Sequence, residues 1–443
     1  MIEICSVGGY NEVGKNCTAI KVDDEVVICD LGLHLENYTK YTGDEDVVKI
    51  NPKELIRVGA VPDVTKIKDW QKKVVAIVPT HAHLDHIGAI PYLGNYFDAP
   101  IICTPFSAAV LRAILGDEKI SLRNKIIELK AGSSFRVSKN IVIEFVNSTH
   151  STPQTVMAVI HTKYGKIIYA NDFKLDLFPT LGEKPDFKRL KQLGRKGVLA
   201  LIVDSTYAPS PIKMPSESVA REMLKDVLLG TDAKGKAIIV TTFSSHIARI
   251  KSIVELGRRL NRKVMFLGRS LSKYTSAAES VGIVKFSKQV EIIKYSSKIK
   301  RALNKVNREG REKYLLVVTG HQGEPKSTLR KIARGEFNFK IGKEDHIIFS
   351  CKTIPSPTNI RNRKELEEQL HELGVRMFMD IHVSGHAGRE DIRDLIKMTN
   401  PKHIIPAHGE LKMTSALQDL ALEMGYKNMN VHLMQDLDRI KID

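Results

Sequence analysis

The segment Thr80-His81-Ala82-His83-Leu84-Asp85-His86 places four side chains able to bind a cation within six residues. His81, His83 and Asp85 stand at i, i+2 and i+4, so an extended chain aims all three to one side. His86 falls where Ile-Gly-Ala-Ile-Pro-Tyr-Leu starts a helix. Imidazole and carboxylate, with no cysteine among them, suit Zn²⁺ and also tolerate Mn²⁺ or iron. Three further candidates close apolar runs: His150 after Phe-Val-Asn-Ser-Thr, Asp172 after Ile-Ile-Tyr-Ala-Asn, and His408 after Ile-Ile-Pro-Ala. Each alone is an ordinary polar strand end, and the cluster alone also reads as a histidine-rich loop. Together the seven would complete two cation sites with one shared carboxylate. Asp30, at the end of Val-Val-Ile-Cys-Asp, is placed to brace a ligand from behind.

These groups need rigid elements to deliver them. Up to about residue 206 the chain reads as short β-branched runs that end in polar residues: VVICDLGL, KVVAIVPT, IVIEFVNS, KIIYANDF and ALIVDST. Such runs predict buried strands carrying functional side chains at their C-terminal ends. The central block alternates instead, with helices over 216–230, 246–260 and 271–282 between strands at 237–243, 263–268, 314–320 and 346–350. That alternation predicts a parallel sheet covered by helices. After about 366 the order is helix, strand, helix, strand. Proline-marked stretches at 206–215 and 351–365 bound the central block, so the expected organisation is 1–210, an inserted domain 211–365, and 366–443.

Charge divides along the same lines. The 443 residues carry a net charge of +17, with 68 Lys and Arg against 51 Asp and Glu. Residues 211–365 hold 33 basic and 14 acidic side chains, a net of +19, which leaves 35 against 37 elsewhere. A surplus so confined points to a polyanionic partner for that block. No apolar run approaches the ~18 residues of a membrane span. The opening MIEICSVGGYNEVGKN lacks a basic segment followed by an apolar one, so no secretory leader is expected. Five scattered cysteines, never spaced C-x-x-C, suit a reducing cytoplasm.

The pattern HxHxDH, followed by His150 and Asp172, resembles the metallo-β-lactamase superfamily. Asp204 in DSTY, His386 in HVSGHA and His408 in PAHGE resemble the additional motifs of its β-CASP branch. TGHQGEPKSTLRKIARGEF (319–337) is similar to the TGSQGEP segment of the ribonuclease J family, in its shorter archaeal form. The resemblance spans essentially the whole chain and implies an α/β fold: an αββα sandwich interrupted by an inserted α/β β-CASP domain with a parallel sheet. It implies one metal at His81, His83, His150 and Asp172, and a second at Asp85, His86, His408 and the bridging Asp172, as two Zn²⁺ with Mn²⁺ an alternative. It also assigns substrate phosphate to His382, Val383, Ser384, Gly385 and His386, with a second contact at Phe243, Ser244 and Ser245; Ser244 reads equally as a helix N-cap. Departures are Gln154 in place of an acid, Asn171 in place of a glycine, and TIPSPTN in place of a proline-glycine-asparagine segment.

Two cations acidify water and clamp a scissile phosphate. His386, oriented by Asp204, is the candidate proton donor to the departing 3′-oxygen, and Asp85 counts as catalytic as well as ligating. The resemblance implies a 5′-to-3′ exoribonuclease, with internal cutting as a further activity, acting on single-stranded RNA with a 5′-monophosphate, and a homodimer as its assembly. A β-CASP endonuclease of RNA 3′-end processing or of DNA is the alternative. A small-molecule metallohydrolase and a metal-free RNA-binding scaffold stand further off, since neither needs the whole constellation.

Overall fold

The computed structural model describes residues 1–43 and 50–443. The chain forms two compact units, the first from residues 1–177, 182–214 and 384–443, the second from 178–181 and 215–383.

In the first unit, seven described strands form a sheet in the order Arg439–Ile442, Ile2–Gly8, Cys17–Val22, Glu25–Cys29, Val74–Val78, Ile101–Cys103, Ile126–Glu128. Six more are ordered Pro401–Ala407, Val198–Asp204, Gly165–Ala170, Val156–Thr162, Val142–Asn147, Ser134–Arg136. Alternate residues of each strand face the other sheet, so Ile2, Ile4, Ile20 and Val22 close on Ile143, Phe145, Ile160 and Tyr169. The outer face of the second sheet packs Ile168, Leu201 and Ile404 against helices Phe187–Arg195, Arg389–Thr399 and Leu411–Glu423. Helix Pro105–Glu118 lies beside strand Ile126–Glu128 of the first sheet. The arrangement is the αββα sandwich.

Register explains why chemistry gathers at one end. Strand Val198–Asp204 runs parallel to both Gly165–Ala170 and Pro401–Ala407, so the residues that follow all three emerge together: Asp172, Asp204 and His408. Glu25–Cys29 and Val74–Val78 are likewise parallel and release Asp30 and Thr80-His81 side by side. The 31–33 segment then zips onto the metal-type motif, with Leu31 N–H donating to His86 O at 2.8 Å and Leu33 N–H to Leu84 O at 2.9 Å. Gly32 permits that approach, because a Cβ there would lie 1.6 Å from the Asp85 carbonyl oxygen.

The second unit is built on six parallel strands ordered Glu291–Ile293, Lys263–Leu267, Tyr314–Val318, Ile238–Thr241, His346–Phe349, Arg376–Phe378. Helices such as Ile247–Arg259, Arg269–Ser280 and Ser296–Glu309 connect them. The compact units divide at 383/384, beyond the expected 365/366. The proline-marked stretch is a helix start, with Ser356 capping and Pro357 in the first turn of helix Pro357–Glu372. Strand Arg376–Phe378 pairs with His346–Phe349, so residues 366–383 belong to the second unit. Among the described residues no helix is long and apolar enough to cross a membrane.

Candidate metal centre

The HAHLDH motif is only half extended. His83 keeps extended backbone angles, but the chain turns helical over Leu84–Ile87. Asp85 therefore parts from His81 and His83, contrary to the i, i+2, i+4 expectation, and faces His86 and His408. Candidate ligand atoms fall into two sets, each within 4.8 Å: His81, His83, His150 and Asp172, and Asp85, His86, Asp172 and His408. Asp172 divides its oxygens between them. Oδ2 lies 3.5 Å from His81 Nε2 and 3.3 Å from His150 Nε2, while Oδ1 lies 3.4 Å from His86 Nε2 and 3.3 Å from His408 Nε2.

The far side of most rings is fixed by a partner, which sets the nitrogen turned inward. His86 Nδ1 meets Asp30 Oδ2 at 2.7 Å, His150 Nδ1 meets the Gly385 carbonyl at 2.7 Å, and His408 Nδ1 meets Asn16 Oδ1 at 2.8 Å. Thr80 Oγ1 lies 3.2 Å from His81 Nδ1. Asp30 is itself anchored by the Thr80 N–H at 2.8 Å. It therefore holds the His86 ring from the side away from Asp172. A hydrogen bond to a charged group contributes about 1.5–3 kcal/mol, so the Asp30 carboxylate is a strong orienting partner for His86.

The donor set fits divalent cations. His81 Nε2 and His150 Nε2 each lie 3.1 Å from His83 Nδ1, so three ring nitrogens converge where a single proton cannot serve them all. Burial, followed by the neighbouring His81, holds His83 down at about 3, and burial lowers His81 and His150 as well. Those rings are neutral and offer lone pairs. The Oδ1 atom of Asp172 is buried with no hydrogen-bond partner among the described residues. Three centre residues, Asp30, Asp172 and His408, also hold left-handed backbone angles (φ 58°, 51° and 54°). Such angles in non-glycine residues cluster at functional sites.

Beside these sets, His386 Nδ1 meets Asp204 Oδ2 at 2.8 Å and Thr206 Oγ1 at 3.1 Å, and His386 Nε2 lies 3.9 Å from Asp172 Oδ2. Burial opposes charge on this ring, but the Asp172 and Asp204 carboxylates outweigh it and push His386 up to about 10. Ser384 and Gly385 belong to the same unit. Phe243, Ser244, Ser245, His382 and Val383 belong to the second unit. There the Phe243 ring sits 4.4 Å from that of His321, and Ser244 Oγ meets Ser270 Oγ at 2.8 Å. Ser244 caps no helix: the cap position of Ile247–Arg259 is His246. Buried Arg249, locked by Glu217 at 2.6 Å, donates to the carbonyls of Ser350 and Ile381 and holds the stretch before His382.

Asn16 escaped the sequence reading. It is buried, accepts from Asn171 Nδ2 at 3.0 Å as well as from His408, and donates to the Asp85 carbonyl at 3.1 Å. Its one signal is position: a polar residue just before the apolar run Cys17–Val22. The departure Asn171 thus has a use, tying Asn16 to the Tyr169 hydroxyl at 2.9 Å. Gln154 points elsewhere, its Oε1 accepting from Phe106 N–H at 2.9 Å in the first turn of helix Pro105–Glu118.

Comparison with known proteins follows the same geometry. Residues 10–195 match the metallo-β-lactamase superfamily, 235–367 the ribonuclease J β-CASP domain, and 372–433 the Zn-dependent metallo-hydrolase RNA specificity domain. A Methanocaldococcus jannaschii protein named Ribonuclease J is 44% identical, over 98% of this chain and 97% of the relative. This chain belongs to the ribonuclease J family. A second family member, from Pyrococcus abyssi, is also 44% identical, over 96% of this chain and 94% of its own length. The sandwich is shared more widely: a crystal structure of a protein of unknown function from Enterococcus faecalis matches 99% of both chains with a TM-score of 0.64 at 16% identity. At that identity the likeness speaks for the fold alone.

Proposed function

We propose that this member of the ribonuclease J family is a metal-dependent ribonuclease that degrades single-stranded RNA from a 5′-monophosphate end, with internal cleavage as a secondary activity. The observation that carries the reading is Asp172, one buried carboxylate whose two oxygens face two separate ligand sets. One divalent cation would be held by His81, His83, His150 and Asp172, the other by Asp85, His86, His408 and Asp172, with zinc the first candidate and manganese the second. When bound, such cations supply Lewis acidity toward a phosphoryl oxygen and acidify coordinated water.

The chain's own residues do the rest. Asp204 and Thr206 hold the Nδ1 side of His386, which leaves Nε2 to deliver a proton to the departing 3′-oxygen. The Asp204 carboxylate beside Nδ1 favours the protonated ring. Asp30 and Asn16 keep His86 and His408 turned toward the shared carboxylate. The excess of basic side chains in 211–365 supports RNA as the polymer, as do the relatives' name and the RNA specificity domain. The complete ligand set favours an enzyme over a binding scaffold.

The test is a time course on 5′-end-labelled RNA bearing a monophosphate or a triphosphate, run beside metal analysis of the same protein. Immediate release of labelled mononucleotide from the monophosphate RNA is expected, with about two cation equivalents per chain. A ladder of internal fragments would put endonucleolysis first. A protein without cations and without cleavage would defeat the reading.

A further inference from the structure

The loop Ser384-Gly385-His386 is gripped by a lysine with no assigned part in the centre. Lys174 follows Asp172 by two residues and is only 3% exposed. Its Nζ donates to the Ser384 carbonyl at 3.1 Å and lies 3.8 Å from the buried Asp176 carboxylate. The backbone beneath it is tied to the residue before His150. Lys174 N–H donates to Thr149 O at 2.8 Å, Thr149 Oγ1 donates to Lys174 O at 2.6 Å, and Asp176 N–H donates to Thr149 Oγ1 at 3.2 Å. His150 Nδ1 holds the next carbonyl, that of Gly385, at 2.7 Å. Two consecutive peptide oxygens of the loop are therefore pinned, one by Lys174 and one by His150.

Peptide planarity turns this grip into a direction. The peptide is trans, so the Ser384 C=O and the Gly385 N–H lie in one plane and point opposite ways. Holding the oxygen on Lys174 aims the Gly385 N–H away from it. The next N–H, of His386, is already taken by Ser384 Oγ at 3.2 Å. The Gly385 N–H has no acceptor among the described residues, one position from His386. Only glycine fits there, because a Cβ would lie 2.8 Å from Ser151 N and 2.9 Å from His150 Nδ1. A buried amine is costly unless hydrogen-bonded, and this one places a bond on the loop.

We propose that Lys174 is a positioning residue for RNA: by fixing the Ser384–Gly385 peptide it aims the Gly385 N–H at a phosphate oxygen of the substrate beside His386. The proposal rests on the ribonuclease reading above. Lys174→Met keeps side-chain length and removes the donor, while Lys174→Arg restores one. Each variant is compared with wild type for metal content, melting temperature and kinetics on oligoribonucleotides in which a neutral methylphosphonate replaces each phosphate in turn. For Lys174→Met the expected result is wild-type metal content, KM raised about tenfold and kcat within about threefold. At one phosphate position the methylphosphonate penalty seen with wild type should vanish. Lys174→Arg should recover part of both effects. A KM unchanged in Lys174→Met, or a penalty kept at every position, overturns the proposal. If neither variant folds, ¹⁵N-glycine-labelled wild type carries the test: a nucleoside monophosphate must shift the Gly385 amide resonance, and an unmoved resonance overturns the proposal equally. Wild type that neither binds cations nor cleaves RNA would instead defeat the underlying reading.

Discussion

The two candidate ligand sets around Asp172 are built on different chemistry. In the first, His81, His83 and His150 are neutral rings, and their outer contacts are neutral too: the Thr80 hydroxyl, the Ser151 hydroxyl at 3.3 Å and the Gly385 carbonyl. The second carries a carboxylate of its own in Asp85, and His86 leans on another in Asp30. The first depends on lone pairs brought together by packing, the second on fixed negative charge. Removing a partner should therefore hurt the second set through electrostatics and the first through geometry.

The largest expected effect erases the difference. Asp172→Asn should cost cations from both sets and lower RNA cleavage by on the order of 10³-fold or more, read by metal analysis and the end-labelled assay. Loss of a single equivalent would mean the carboxylate is not shared. Asp30→Asn separates the sets. It should weaken cation binding about 10- to 100-fold at the aspartate-bearing set alone, so graded chelation shows one equivalent leaving early and one leaving as in wild type. Asn16→Ala should act in the same direction, several-fold rather than more, because a neutral bond to His408 is lost; an equal effect on both equivalents would refute its assignment to one set.

The smallest effect calibrates both, at a carboxylate outside either set. Glu144 bonds His161 Nε2 at 2.7 Å and Arg189 Nε at 2.5 Å. Burial alone would raise this carboxyl, but those two partners outweigh it and hold it at about 2, against an ordinary 4.5. The folded state thus prefers the charged form, so this contribution to stability is complete above about pH 4.5 and drains away as the pH falls toward 2. Melting temperatures of Glu144→Gln should lie below wild type at neutral pH and converge with it in acid. Parallel curves would remove the linkage.

Legibility in the sequence followed chain locality. The HAHLDH motif, the strand ends at His150, Asp172 and His408, and the parallel central sheet could be read directly, because period and spacing are local. The helical turn at Leu84 was not legible, since Asp85 obeys an extended spacing as well as a helical one. The proline pair near 355–357 reads equally as a linker or a helix start, and it opens helix Pro357–Glu372. Asn16, Lys174 and Arg249 were silent for a different reason. Each acts on a residue more than a hundred positions away, and nothing beside it in the chain announces the partner.

The pairing of Pro401–Ala407 with Val198–Asp204 reaches into the life of the protein before it is finished. His408, the last candidate ligand in the chain, arrives only after some four hundred other residues have been joined, and strand Ile2–Gly8 finds its outer neighbour in Arg439–Ile442. A growing polypeptide therefore cannot bring the candidate centre together until more than four hundred residues have been joined, so its assembly is a late step of folding.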